Sequence, residues 1–423
     1  MQFSVSFPST LNQRRFFILI TCTILLLILL MQIVNRRFWM HDFEVYYRAS
    51  QAFANGSKIY GLAFGLDSGY YKYSPFALYL FLPLSLLPFA IAKIIFFLLI
   101  SAAVITTLIL SAHLLQYTLE SAKTYSNGML FIVLGIVSSQ VFRELHLGNV
   151  NMILLLITLI ILYYILSGKQ LAAGILFALV LFVKPHFIIL APLLLLRKQY
   201  KLIAISLLSL TLGSLLPALV TGISENIFLH KEWFQTMQDH NKSLLQAYDT
   251  IYSLFLHFLS YLNILNIQFY EKTVVITLLF IVAVGFGWFV FGNIMQERKM
   301  QPQPIRQSFT IEFLILIALI PSLTITDAEH FLLSIPLILF LLGMMHIKTP
   351  FWFKIAVVVA FILYAMNIHD LIGTSLSLWL THNGILGLGN LMLIGLTMYG
   401  YRNFELKRRT FGSQFQPFTK EPS

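Results

Sequence analysis

The sequence predicts an all-α polytopic membrane protein. Of its 423 residues, 58% are hydrophobic and only 11% are charged, against about 25% charged in an ordinary soluble domain. Mean hydropathy is +0.82. Apolar runs approaching the roughly 20 residues that a spanning helix needs recur along the whole chain.

Taken in order, those runs fall near 16–34, 73–88, 90–115, 128–142, 149–166, 172–196, 202–221, 273–295, 309–325, 331–346, 351–367 and 385–401. The expectation is a bundle of about twelve transmembrane helices, within about ten to thirteen. A further apolar stretch, 251–267, either lies in the interface or partly re-enters the membrane. Arg14-Arg15 precede the first run with no small-residue cleavage site after it, so it is expected to stay as a span.

Under alternation, Arg14-Arg15, Arg197-Lys198-Lys201, Arg298-Lys299-Arg306, Lys348 and Arg402-Lys407-Arg408-Arg409 share one side. The positive-inside rule makes that side cytoplasmic, with both termini there. Two long outer loops follow, 35–72 and 222–272. Each is expected to hold an interfacial helix. In 42–54, Phe43, Tyr46, Tyr47 and Phe53 fit one helical face and Gly56 is the stop; in 225–240, Phe228, Trp233, Phe234 and Met237 do the same. Residues 1–409 read as a single integral membrane domain and 410–423 as a flexible cytoplasmic tail, with Gln301–Pro304 a connector.

Composition excludes several classes. The single cysteine, Cys22, permits neither an intramolecular disulfide nor a thiolate metal site. The net charge of +11 is scattered between spans, which suits anionic lipid rather than nucleic acid. No Gly-rich nucleotide loop, paired metal-ligand motif or Ser/His/Asp arrangement is present. A soluble nucleotide-sugar enzyme is therefore not expected.

The residues able to carry chemistry are few. Asp42, one of six Asp, sits just beyond the first span. It is either a general base at a partly dry interface or an N-cap for the helix that follows; Glu44 is a weaker candidate. Tyr70-Tyr71-Lys72-Tyr73-Ser74-Pro75 reads as an aromatic belt with helix punctuation, or as sugar and phosphate ligands. Arg143-Glu144 opens a polar turn that runs through His146 and Gly148-Asn149 to Asn151. Its preceding run of about 15 residues reaches only about 22 Å. Either Arg143 and Glu144 pair in a cytoplasmic turn, or the turn lines a cavity. Lys184-Pro185 interrupts a long apolar stretch. An intramembrane Lys is a site candidate by default, and the proline frees backbone groups beside it. Thr324–His330 is a polar loop with a capping Asp327, or a source of a phosphate or sugar ligand in His330.

These motifs, in their order, resemble glycosyltransferase family 87. The matching residues are Asp42, Tyr47, Ala49, Gly56 and Tyr60, then Tyr73-Ser74-Pro75 with Pro83 and Pro88. Gly148-Asn149-Val150-Asn151 is similar to the family's Gly-Gln-x-Asn turn, with Asn149 in place of Gln. Ala173-Gly174 and Lys184-Pro185 are similar to its Gly…Lys segment. Asn241-Lys242-Ser243-Leu244 is similar to its Asn-Gln-Ser-Leu stretch, with Lys242 in place of Gln, and His330 with Pro336 to its outer-end His. The likeness spans roughly 40–345.

The resemblance implies a GT-C-like bundle and transfer of a hexose, mannose foremost, from a polyprenyl-phosphate carrier to an acceptor hydroxyl. The transfer would invert the anomeric centre, at the outer face of a bacterial inner membrane. It implies Asp42 as base, Lys184, His330, Arg48 and Lys72 as donor-phosphate ligands, and Tyr47, Tyr73, Asn149, Asn151 and Asn241 as substrate contacts. Metal and other cofactors are not required. The partners implied are membrane lipid, a lipid-linked sugar donor and a glycolipid or glycan acceptor, with no nucleic acid. A transporter or flippase for an amphipathic solute is the alternative, but no internal repeat accompanies it. A non-catalytic membrane partner is the third reading.

Overall fold

The computed structural model describes residues 12–65, 69–119, 125–241, 248–261, 271–299, 305–325, 327–367 and 369–405. Among them the chain is helical, with one isolated antiparallel bridge between Ala63 and Tyr70. Every one of the twelve expected spans coincides with helix. Five helices are long and apolar enough to cross a membrane alone: Arg15–Val34, Phe89–Thr118, Tyr200–Thr221, Thr273–Arg298 and Ala328–Met345. Two bent pairs bring the number to seven if each is one span: Asn127–Ile136 with Ser138–Leu147, bent by 67°, and Thr374–His382 with Ile385–Glu405, bent by 55°. The other apolar helices run to 10–17 residues, among them Asn151–Leu166 and Gln170–Val183. This is a multi-pass membrane protein.

Long-range contacts gather several helix termini into two groups, one at each end of the bundle. At the first end, Arg14 donates to Asn127 Oδ1 at 3.0 Å and to the Tyr125 carbonyl. Tyr125 packs on Gly343, Gly292 lies against the Arg402 guanidinium, and Arg197 meets Glu297 and Glu312. At the opposite end, the Met40 amide donates to the His146 carbonyl (3.1 Å) and Asn149 to Asp42 (2.7 Å).

Two expected spans follow a different path. The stretch 73–88 does not traverse the bundle. Its helical part, Pro75–Ser85, lies along the helix His41–Ala54. Ser50 donates to the Leu78 carbonyl, Gln51 to that of Ser85 and Tyr47 to that of Leu87. Both termini of the stretch therefore stay at the Asp42 end. The next helix, Phe89–Thr118, starts there, with Lys93 Nζ donating to the Phe38 carbonyl at 2.8 Å. Simple alternation would have put the turn 143–151 beside Arg14; this change of path puts it beside Asp42. The stretch 172–196 is a hairpin rather than one span. It turns at Lys184-Pro185, between Gln170–Val183 and the 3-10 turn and helix of 185–196. Gln170 donates to Gln199 at 3.1 Å, so both feet stand at the Arg14 end and Lys184 sits at the tip. The two changes cancel, and Arg197 keeps the end expected of it.

The loop helices are present as expected. His41–Ala54 buries Phe43, Tyr46, Tyr47 and Phe53 and ends before Gly56 at φ +65°. Ile223–Asn241 is pinned by Trp233, whose indole N–H donates to the Lys72 carbonyl at 3.1 Å. Of 251–267, Ile251–Tyr261 is helical and the remainder lies outside the described residues, as do the connector 301–304 and the tail 410–423. Cys22 is exposed on the first span.

Candidate active site

The site is built where the helix His41–Ala54 meets the turn after Leu147. Met40 precedes the helix in the left-handed region (φ +56°), and Asp42 is its second residue. Asp42 is not the cap; its Oδ2 accepts instead from Asn149 Nδ2 at 2.7 Å. The Asn149 amide is oriented because its Oδ1 accepts from the Val150 amide at 2.7 Å. Gly148 makes the approach possible. It has φ +71°, and a Cβ there would lie 2.8 Å from Met40 Cε and 2.9 Å from Phe43 Cβ.

Behind Asn149 runs a chain of polar contacts. Glu144, fully buried, accepts from Asn151 Nδ2 (2.9 Å) and the Met152 amide (2.8 Å). This fixes Asn151 so that its Oδ1 accepts from Lys184 Nζ at 2.5 Å. Pro185 ends helix Gln170–Val183 and puts Lys184 in extended backbone, with its side chain buried at the hairpin tip. Lys184 Nζ lies 2.7 Å from His330 Nε2. His330 Nδ1 accepts from the Asp327 amide at 3.2 Å. At 2.7 Å, Lys184 Nζ and His330 Nε2 share a hydrogen bond, its direction set by the His330 tautomer. An anionic oxygen entering here would take a charge-assisted bond from Lys184 Nζ and, in the Nε2–H tautomer, a second bond from the ring.

Burial raises the Asp42 carboxyl from its ordinary value, opposed by the Lys184 charge and the Asn149 hydrogen bond. Lys72 also acts on Asp42 and, with Lys184, on His240, whose imidazole is lowered to about 4, chiefly by burial. Asp42, Lys72, Lys184, Asp327 and His240 thus share one electrostatic neighbourhood.

Most of the expected site residues gather here: Asp42, Asn149, Asn151, Lys184, His330 and Lys72. Tyr73 lies beneath, its hydroxyl 2.8 Å from that of Tyr46. Two are not brought in. Arg48 is exposed and pairs with Glu44 one turn back (2.6 Å). Tyr47 is tied to the Leu87 carbonyl and to Gln51. The Asn241 side chain lies outside the described residues.

Arg143 does not pair with Glu144. Its Nε donates to Glu329 Oε2 at 2.6 Å, and its NH2 lies 3.5 Å from Asp327. Adjacent residues on a helix do not face each other. Sequence reasoning also passed over Tyr46. Four residues from Asp42, it shares that residue's helical face, and this spacing was the available signal.

The model of glycosyltransferase family 87 matches residues 71–318, more than half of the chain. The chain belongs to glycosyltransferase family 87. The family 87 match covers Asn149, Asn151 and Lys184; Asp42 and His330 lie outside it and join them through the fold.

The chain is similar to an α-(1→3)-arabinofuranosyltransferase of Corynebacterium glutamicum, 28% identical over 43% of this chain and 41% of that protein. It is also similar to one of Mycobacterium tuberculosis, 30% identical over 37% and 35%. The match thus spans about two fifths or less of these relatives' length. Among solved structures, apo ArnT from Cupriavidus metallidurans matches at 12% identity, over 92% of this chain and 78% of that one, with a TM-score of 0.32.

Proposed function

We propose that this family 87 member transfers a sugar from a polyprenyl-phosphate carrier to an acceptor hydroxyl, with inversion and with Asp42 as the base. The observation that carries the reading is the convergence of a half-buried carboxylate and two phosphate-suited donors, from three distant parts of the chain, on one neighbourhood.

In this scheme Asp42 takes the proton of the attacking hydroxyl. That oxygen bonds to the anomeric carbon as the carbon–phosphate oxygen bond breaks. Polyprenyl phosphate leaves with the electron pair, and its charge falls on Lys184 and His330. Lys184 suits this role because its contacts, an amide oxygen and an imidazole, are neutral. Its charge is not cancelled by contact with a carboxylate. Asn149 holds the base in place, and Lys72 adds positive charge near it.

The matched relatives are named as arabinofuranosyltransferases, so a pentofuranose donor stands beside the mannose implied by motif resemblance. Arg14, Arg197 and Arg402 gather at the end opposite Asp42. The positive-inside rule supports a cytoplasmic assignment for that end and an outer-face site in a bacterial inner membrane. The transporter reading gains no specific support.

The test is transfer by purified protein from polyprenyl-phosphate mannose and from polyprenyl-phosphate arabinofuranose to synthetic glycan acceptors, with the product anomer assigned by NMR. An inverted glycoside from either donor is expected. A retained anomer, or flipping of the donors across a vesicle without transfer, overturns the reading.

A further inference from the structure

Beside the Asp42 cluster lies a cavity of about 610 Å³, a volume in the range of small-ligand sites, about 300–1,000 Å³. Arg143 and Asp327 line it and also belong to the cluster's charge network, so the two spaces share a wall.

The remaining lining is unusual for the interior of an apolar bundle. Gln140 is 3% exposed, and its Nε2 donates to the Tyr364 carbonyl at 3.1 Å. Its Oε1 is buried with no partner among the described residues. A buried acceptor without a donor is costly in a folded protein and calls for an explanation. Asp249 uses one oxygen to accept from the Gly387 amide at 3.1 Å; no hydrogen bond to its other oxygen occurs among the described residues. Burial raises this carboxyl to about 6. Asn367 is held by Ser377 (2.6 Å) and Thr381 (2.9 Å), so its amide is fixed before any ligand arrives. The Tyr248 ring, packed on His382, supplies a flat apolar face.

The chemistry that fits is a neutral polyol. Each sugar hydroxyl both donates and accepts, and the walls offer acceptors in Gln140 and Asp249 and donors in Arg143 and Asn367. A second phosphate is disfavoured, because Asp249 and Asp327 face a single guanidinium, itself already paired with Glu329. A lipid chain is disfavoured by the polar lining. We propose that this cavity seats the saccharide end of the acceptor, with Gln140 and Asp249 as its specificity-determining contacts. The proposal rests on the transferase reading above, and it places the acceptor across Arg143 from the base.

The test reads binding without turnover. The methyl glycosides of a mannose disaccharide and an arabinofuranose disaccharide are titrated into protein in nanodiscs, followed by saturation-transfer NMR. Wild type is expected to bind at least one, and Gln140→Leu and Asp249→Asn to weaken that binding at least about tenfold. Asp249→Asn preserves side-chain shape and keeps the test open should Gln140→Leu fail to fold. Wild type that binds neither probe, or a folded variant that binds as wild type does, overturns the proposal. Transfer assays separate the two readings. An acceptor KM unchanged in the variants while transfer persists removes only the cavity assignment; absent transfer with intact saccharide binding removes only the chemistry.

Discussion

Two clusters of buried charge stand at opposite ends of this bundle, and they differ in how their cations are held. At one end Arg197 donates to both oxygens of Glu312 (2.8 and 2.6 Å), to Glu297 (2.7 Å) and to Ser308 (3.1 Å). Asn293 also donates to Glu312. Two carboxylates more than cancel the one guanidinium, which gives four hydrogen bonds. At the other end the polar contacts of the Lys184 ammonium among the described residues are to the neutral Asn151 and His330, and Asp42 is held by a neutral amide. The first arrangement is a closed staple joining three helices. The second leaves positive charge and a carboxylate able to act on something else. Burial of charge alone therefore does not mark a site; the neutrality of a charge's partners does.

That contrast can be broken at either end. Arg197→Met strands two buried carboxylates and is expected to cost about 3–5 kcal/mol of stability, read as a large fall in unfolding temperature in detergent. The protein that remains folded should turn over at near the wild-type rate. Lys184→Met should do the reverse. A loss of about 10²–10³ in kcat is expected, with the unfolding temperature close to wild type. Similar signatures from both variants would erase the distinction.

The next effect is on pH dependence. A base whose carboxyl is raised by burial loses its working, ionised form as pH falls, and does so at higher pH than a free carboxylate would. Asn149 opposes that rise by donating to Asp42. Asn149→Leu should therefore move the acid limb of the kcat/KM profile to higher pH. A limb that stays in place or moves down would show that another group sets it. The smallest effect belongs to Arg48→Gln. Its pair with Glu44 is exposed, and such i,i+4 pairs contribute about 0.3–0.5 kcal/mol. Transfer within twofold of wild type is expected.

How much of this was legible before the structure depends on what each property responds to. Apolar length sufficed for helices such as Arg15–Val34, and a Lys-Pro pair inside an apolar run marked a break. Hydropathy could not tell a break from a reversal, because that depends on Gln170 meeting Gln199. Nor could it tell a span from a helix lying along another. The stretch 73–88 is apolar enough to cross, yet Ser50, Gln51 and Tyr47 bind its carbonyls. Asp42, Lys184 and His330 stood out because polar groups are rare in such a chain. Tyr47 stood out by motif likeness and Arg48 by its charge, but they lie five and six residues from Asp42 and so turn away from its face; Tyr46, at four, shares it. Glu329 and Arg143 depend on a contact across 186 residues, which no local pattern contains.

The most direct test is the turnover of Asp42→Asn beside wild type, with both unfolding temperatures measured in the same detergent. The substitution keeps the shape of the side chain and removes the base. A fall in kcat of at least about a hundredfold at matched stability is the predicted result. Equal turnover by the two proteins would contradict the assignment and move the base elsewhere in the cluster, to Asp327 or Glu329.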